Sequence, residues 1–166
     1  ALPSGKTLVV AAPGNLPPPS KRGDVFRQAA VKALDTLSRN PNGFFLMIEG
    51  SNIDKAAHSN NLEEMMEELL DFDRTAGAVL DWASKHPGTL VVITADHNTG
   101  AFALTGGSRE QGEITGRFGS GSHDGVAVPV YAFGAGSGDF TGIYENTDIF
   151  NKIMNAFKKG ADKPVR

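Results

Sequence analysis

Four histidines occur in the chain, and three of them stand close to carboxylates. His58 follows Asp54 by four residues, so one turn of helix would set both side chains on the same face, able to grip a single ion. His97 directly follows Asp96, and Glu49 closes the apolar run Phe44-Phe45-Leu46-Met47-Ile48. His123 lies in Gly121-Ser122-His123-Asp124-Gly125, a stretch whose glycines could bring it back over the other two. An Asp-His-His set leaves coordination positions open, which is how catalytic zinc is held. Asp96 with His97, and Glu49, offer partial ligation for further ions, zinc at the histidine and magnesium at the lone carboxylate. Two close divalent ions can polarise a phosphoryl oxygen and stabilise its attacking and leaving oxygens together. His86 stands apart from this group. It precedes Pro87 at a predicted helix end, where a cation complements the dipole, and is read as structural.

The elements that must position these residues alternate. Thr7–Ala12 is a β-rich run ended by Pro13-Gly14. Asp24 is placed to cap a helix running to about Asn40, with Phe26, Ala30, Ala33, Leu34 and Leu37 on one face. Gly43–Glu49 reads as a strand of the kind buried on both faces in a parallel sheet. Asn61 then opens a long helix to about His86, with Leu62, Met65, Met66, Leu69, Ala76, Leu80 and Ala83 as its buried stripe. Glu63, Glu64, Glu67, Glu68 and Asp71 are expected on its solvated side. Thr89–Ala95 is a third strand, Gly106–Gly125 a long loop, and Ala127–Phe133 a fourth strand. Pro129 argues that this last strand lies at an edge or carries a bulge. Thr147 can cap a final helix through Phe157. Strands alternating with helices predict an α/β fold, a mostly parallel sheet flanked by helices. Such sheets place ligands beyond the carboxyl ends of their strands, where Glu49, Asp96 and His97 fall.

Composition bounds the rest. At 166 residues the chain is one domain or a large piece of one. It has no cysteine, so disulfides and thiolate metal sites are excluded. Nineteen acids against sixteen bases leave a net charge of −3, which argues against a general nucleic-acid surface. No apolar run is long enough to span a bilayer, and no signal peptide is visible in this segment.

Three segments carry a resemblance. Phe44-Phe45-Leu46-Met47-Ile48-Glu49-Gly50-Ser51-Asn52-Ile53-Asp54-Lys55-Ala56-Ala57-His58 closely resembles the metal segment of alkaline phosphatases. Leu90-Val91-Val92-Ile93-Thr94-Ala95-Asp96-His97 is similar to their second motif, and His123-Asp124-Gly125-Val126-Ala127-Val128-Pro129-Val130-Tyr131-Ala132 to their third. The resemblance runs from Pro41 to about Phe157, with a looser match over Thr7–Asn40. It implies that Asp54, His58 and His123 hold a first zinc that activates water and contacts phosphate. Asp96 and His97 would help hold a second zinc, which lowers the pKa of an attacking serine, and Glu49 would be a magnesium ligand. Lys55 sits where some bacterial members reach the phosphate through water. The implied reaction is hydrolysis of phosphate monoesters through a phosphoserine, releasing inorganic phosphate. The implied fold is part of the alkaline-phosphatase sandwich, and the implied setting is a periplasmic or secreted homodimer.

The departure from the family is in what is missing. The family's nucleophilic serine, an Asp bridging the second zinc and magnesium, a Thr on magnesium and a phosphate-clamping Arg belong to its N-terminal half. Ser51, Ser120 and Ser122 lack the nucleophile's context, and no arginine here is assignable as the clamp. Residues 1–166 therefore read as the C-terminal portion of an alkaline phosphatase catalytic domain, inactive alone, whose partner is the remaining N-terminal half. Two alternatives stand beside this. One is another member of the metal-dependent phospho- and sulfo-transferring superfamily, a phosphodiesterase, mutase or sulfatase. The other is a non-catalytic metal-binding fragment.

Overall fold

The computed structural model of the protein describes residues 11, 12 and 14–161. Most of the first expected strand, Thr7–Val10, lies outside the described residues, and Ala11 and Ala12 form a bend. Among the described residues there are five α-helices: α1 (Pro19–Arg22), which was not expected, α2 (Val25–Leu37), α3 (Asn52–His58), α4 (Leu62–Ser84) and α5 (Asp148–Ala161). Of these, α2, α4 and α5 fall on the expected helical runs and α3 on the Asp54–His58 turn. Six short strands lie between α4 and α5: β1 (Leu90–Ile93), β2 (Asn98–Thr99), β3 (Ala103–Ser108), β4 (Glu113–Arg117), β5 (His123–Asp124) and β6 (Tyr131–Gly134).

Helix α4 starts where its cap predicts, the Asn61 side chain accepting a hydrogen bond from the Glu64 amide at 3.1 Å. It ends near His86, whose ring stacks on Trp82 at 3.6 Å while Nδ1–H donates to the Trp82 carbonyl at 2.7 Å. Asp24 precedes α2 but makes no capping bond; its carboxylate instead holds the Arg27 and Gln28 side chains. The helices bury two small clusters. Leu34, Trp82 and Ala83 gather Phe44, Leu46, Val79 and Val91, while Ala56, Ala57 and Met65 gather Ile53, Leu62, Phe102 and Phe118.

The sheet differs from the expectation of a mostly parallel one. Among the described residues every ladder is two-stranded and antiparallel: β1 with β6, β2 with β5, β3 with β4. A parallel return needs a crossover connection, usually a helix, and no helix lies between β1 and β6. Gly43–Glu49 keeps the period of a strand, with Phe44, Leu46 and Ile48 partly buried and Phe45 and Met47 exposed, yet has no ladder partner among the described residues. The expected loop 106–125 overlaps most of the β3–β4 hairpin, which carries a register shift between Leu104 and Gly106. Its glycines hid the alternation that marks a strand. Gly116 abuts the Phe102 ring so closely that no side chain would fit. The fourth strand is shorter than expected, and Pro129 falls just before it, its carbonyl accepting from the Thr94 hydroxyl at 3.1 Å.

Two of the acids expected on the solvated face of α4 are buried. Glu68 is 4% and Asp71 3% exposed, while Leu69 and Leu70 are turned outward. The cause is Arg22, at the end of α1. Its guanidinium donates to both Glu68 oxygens, at 2.9 and 2.7 Å, and through Nε and Nη2 to Asp71 Oδ2, at 3.0 and 2.6 Å. The Asn52 side chain adds a bond to Glu68 at 3.2 Å, joining α1, α3 and α4. Burial alone would lower the Arg22 pKa; the hydrogen bonds to Glu68 and Asp71 outweigh it and hold the guanidinium above its ordinary value. Removing the cation leaves buried Glu68 with the neutral Asn52 amide and buried Asp71 with the exposed Arg74, 3.3 Å away, in place of a shared buried guanidinium. Arg22→Leu is therefore expected to cost ~3–5 kcal/mol in the urea unfolding free energy, and a cost below ~1 kcal/mol would contradict this account.

Candidate metal centre

The centre begins with a short helix. Gly50 turns the chain from the extended segment into α3 at a point where a Cβ would lie 2.8 Å from the Phe72 ring. Ala56 and Ala57 bury the inner face of α3 against Met65. The opposite face carries Asp54 and His58 one turn apart, with His58 Nε2 3.5 Å from Asp54 Oδ2. The pairing expected from their spacing is thus formed by local backbone alone.

His123 arrives from far along the chain. Strand β5 pairs with β2 so that Thr99 faces His123 and Asn98 faces Asp124. Gly100 secures the loop before it: its amide donates to the Ser122 carbonyl, and its carbonyl accepts from the Gly119 and Ser120 amides. Only glycine serves there. Its φ is +82°, and a Cβ would meet the Phe118 ring at 2.8 Å and the Ala57 carbonyl at 3.1 Å. Asn60, with its amide oriented to donate, reaches the Ser120 carbonyl at 2.7 Å. Asp124 anchors this strand. It accepts two bonds from the Asn98 side chain and one each from the Ala101 and Val126 amides.

These contacts bring Asp54, His58 and His123 together, one ligand atom from each within 4.8 Å of the others. His123 Nε2 is 3.0 Å from His58 Nε2 and 3.6 Å from Asp54 Oδ1. The edges of a zinc tetrahedron with bonds of about 2.0–2.1 Å are ~3.3–3.4 Å long. The two imidazoles approach each other to 3.0 Å and each comes within 3.6 Å of a different Asp54 oxygen, so the cluster has about the size one ion requires. The His58 ring is also prepared for it. Nδ1 lies 2.8 Å from the Gly121 carbonyl, which only accepts, so a proton sits on Nδ1 and in the neutral ring Nε2 turns its lone pair toward His123 and the centre. All three side chains are partly open to solvent, from 39% to 51% exposed.

The remaining sequence-chosen residues fall around this cluster. His97 stacks on His123 with ring centroids 3.5 Å apart, and its Nε2 is 3.3 Å from Asp96 Oδ2, a carboxylate 87% exposed. Glu49 is not part of the three-residue cluster; it lines a shallow pocket with Arg22, Ser51, Asn52 and Glu68. Lys55 points the same way, its Nζ donating to Asn15 at 2.6 Å and Asn52 at 3.3 Å. Sequence reasoning missed Thr99, which donates to Asp54 Oδ1 at 2.6 Å. In an extended segment the residue two past His97 faces the same side, and that spacing was the available signal.

The Asp124 anchor has a measurable consequence. The Val126 amide first, then the Asn98 side chain and Ala101 amide, hold its carboxyl below the ordinary range. A depressed folded pKa means that the anchor is fully present above the unfolded value of about 3.9 and is lost as pH falls through the folded pKa. Asp124→Ala is expected to speed hydrogen exchange at the Ala101 and Val126 amides while leaving α4 protected. Unchanged exchange at both amides would show that the carboxylate anchors nothing.

Known proteins supply the remaining comparison. The family model described as alkaline phosphatase matches residues 15–117. Alkaline phosphatase 4 of Bacillus subtilis is 29% identical, over 81% of this chain and 44% of its own length. The solved alkaline phosphatase of the Antarctic bacterium TAB5 is 40% identical with a TM-score of 0.77, over 83% of this chain and 42% of that one. A mutant of that enzyme, similar at a TM-score of 0.76, is described with Mg bound in its M3 site. The chain thus spans less than half the length of these relatives. With more than half of its own residues matched by the family model, this chain belongs to the alkaline phosphatase family.

Proposed function

We propose that the chain is the C-terminal portion of an alkaline phosphatase catalytic domain, and that it contributes metal ligands to a phosphomonoesterase. The observation that carries this reading is the convergence of Asp54, His58 and His123, one ligand atom from each within 4.8 Å of the others. In this reading these three residues hold a first zinc, Asp96 and His97 contribute part of a second zinc site, and Glu49 contributes to a magnesium site. Bound there, the ions would supply Lewis-acid charge to a phosphoryl group and lower the pKa of a coordinated oxygen. The chain's own residues do the positioning. The Gly121 carbonyl keeps the His58 proton on Nδ1, and the Asp124 network holds the strand that carries His123. Lys55, on the same helix as Asp54 and His58, is the candidate for a water-mediated phosphate contact.

The nucleophile, the phosphate clamp and the remaining ligands are assigned to the N-terminal half of the whole protein. Two facts support this division. The chain spans under half the length of its relatives. Phe45 and Met47, on a β-like segment with no ladder partner among the described residues, are 63% and 67% exposed, as expected of a sheet whose further strands come from elsewhere. Phosphate monoesters and inorganic phosphate are the proposed ligands. Export to the periplasm or outside the cell, and a homodimer, follow from the family resemblance. Among the described residues no helix is long and apolar enough to cross a membrane.

The test is co-production with the N-terminal half. The reunited protein is expected to carry zinc and to cleave phosphate monoesters faster than diesters or sulfate esters. His58→Ala with His123→Ala should weaken zinc binding by more than about 100-fold, beyond the 10–100-fold typical of residues outside the ligand set, and abolish turnover. Unchanged zinc content and rate in that double variant would overturn the assignment. The 166-residue chain alone is expected to hydrolyse a chromogenic phosphate ester no faster than buffer holding the same metal. A robust rate from it would place the nucleophile within this chain.

A further inference from the structure

Thr99 is a polar residue only 8% exposed, lodged between two groups of the centre. Its hydroxyl oxygen lies 2.6 Å from Asp54 Oδ1 and 3.2 Å from His97 Nδ1. A threonine hydroxyl has one proton and two lone pairs, whereas an ionised carboxylate only accepts. The proton therefore occupies the shorter contact, whose length is that of a charge-assisted O–H···O⁻ bond. The contact to His97 must then run the other way, Nδ1–H donating to the Thr99 oxygen. In the neutral ring that leaves His97 Nε2 with its lone pair.

We propose that Thr99 is a positioning residue that joins two parts of the metal centre, orienting the Asp54 carboxylate and fixing His97 in the tautomer whose Nε2 is free to bind a cation. The proposal rests on the reading of Asp54 and His97 as metal ligands. Another proton arrangement competes with this one. Asp96 Oδ2 is 3.3 Å from His97 Nε2, close enough to hold a proton there if nothing holds one on Nδ1. Thr99 opposes this from the buried side of the ring, while Asp96 is almost fully open to water. Strand pairing of Thr99 with His123, itself stacked on His97, keeps the hydroxyl in register with both partners. Among the described residues His123 also touches both, stacked on His97 and 3.6 Å from Asp54 Oδ1, but the short hydrogen bond to that oxygen is made by Thr99.

The experiment uses the full 166-residue chain labelled with ¹⁵N, first without metal and at about pH 8, well above the ordinary histidine pKa of about 6.5. The ring-nitrogen shifts of His97 are expected to report the Nδ1–H tautomer in the wild type and in Thr99→Ser, and a shift toward Nε2–H in Thr99→Val. A wild-type ring already in the Nε2–H form, or one unmoved by Thr99→Val, overturns the proposal. Zinc affinity by chelator competition is expected to fall about 10–100-fold in Thr99→Val and to stay within about threefold of wild type in Thr99→Ser, whereas equal affinity in all three contradicts the positioning role. If the wild type takes up no zinc, the metal-ligand reading fails, and the tautomer spectra still decide what Thr99 does.

Discussion

Two residue pairs of antiparallel backbone, Asn98-Thr99 against His123-Asp124, close the longest gap in the centre. Asp54 and His58 need only a turn of helix to meet, but His123 lies 65 residues beyond His58 and must be held against loop-closure entropy. So short a ladder has little strength of its own. It is reinforced by the Asp124 carboxylate, by Gly100 contacts that only a residue without a side chain permits, and by the His58–Gly121 bond. That last bond acts twice, since it ties the loop to α3 and leaves His58 Nε2 ready to ligate.

What could be read from sequence follows this division between local and distant. The Asp54–His58 pair and the Asn61 cap were legible because each depends on residues three or four apart. His123 was legible as a third ligand from its glycine-rich stretch and from the motif resemblance, but nothing in its spacing locates the loop in space. Glu68 and Asp71 were misread as a solvated face because their partner, Arg22, is 46 and 49 residues away. The β3–β4 hairpin was missed because glycine carries no side chain from which to count a period. Thr99 was overlooked because threonine is an ordinary strand residue; its place two past His97 was the one hint, and the short bond to Asp54 gives it meaning.

The expectation of a parallel sheet failed for a related reason. Apolar runs separated by helices do suggest parallel neighbours, but the last run returns beside β1 without a helical crossover and therefore lies antiparallel. The Gly43–Glu49 run keeps the alternation of a strand without a ladder among the described residues. Its inward side chains, Phe44 and Leu46, pack on Leu34, Trp82 and Ala83; its outward ones, Phe45 and Met47, meet nothing that would keep water away. A chain covering under half of its relatives' length would be expected to leave such a surface bare.

The central claim is that Asp54, His58 and His123 enclose a single ion. X-ray absorption at the zinc edge, on protein loaded with one equivalent of zinc, tests this without reference to turnover. The account predicts a first shell of nitrogen and oxygen at about 2.0–2.1 Å with the multiple-scattering pattern of two imidazoles, reduced to one by His123→Ala. A shell of water oxygens alone, or two imidazoles that persist in His123→Ala, would show that the chain does not bring these residues together around a metal.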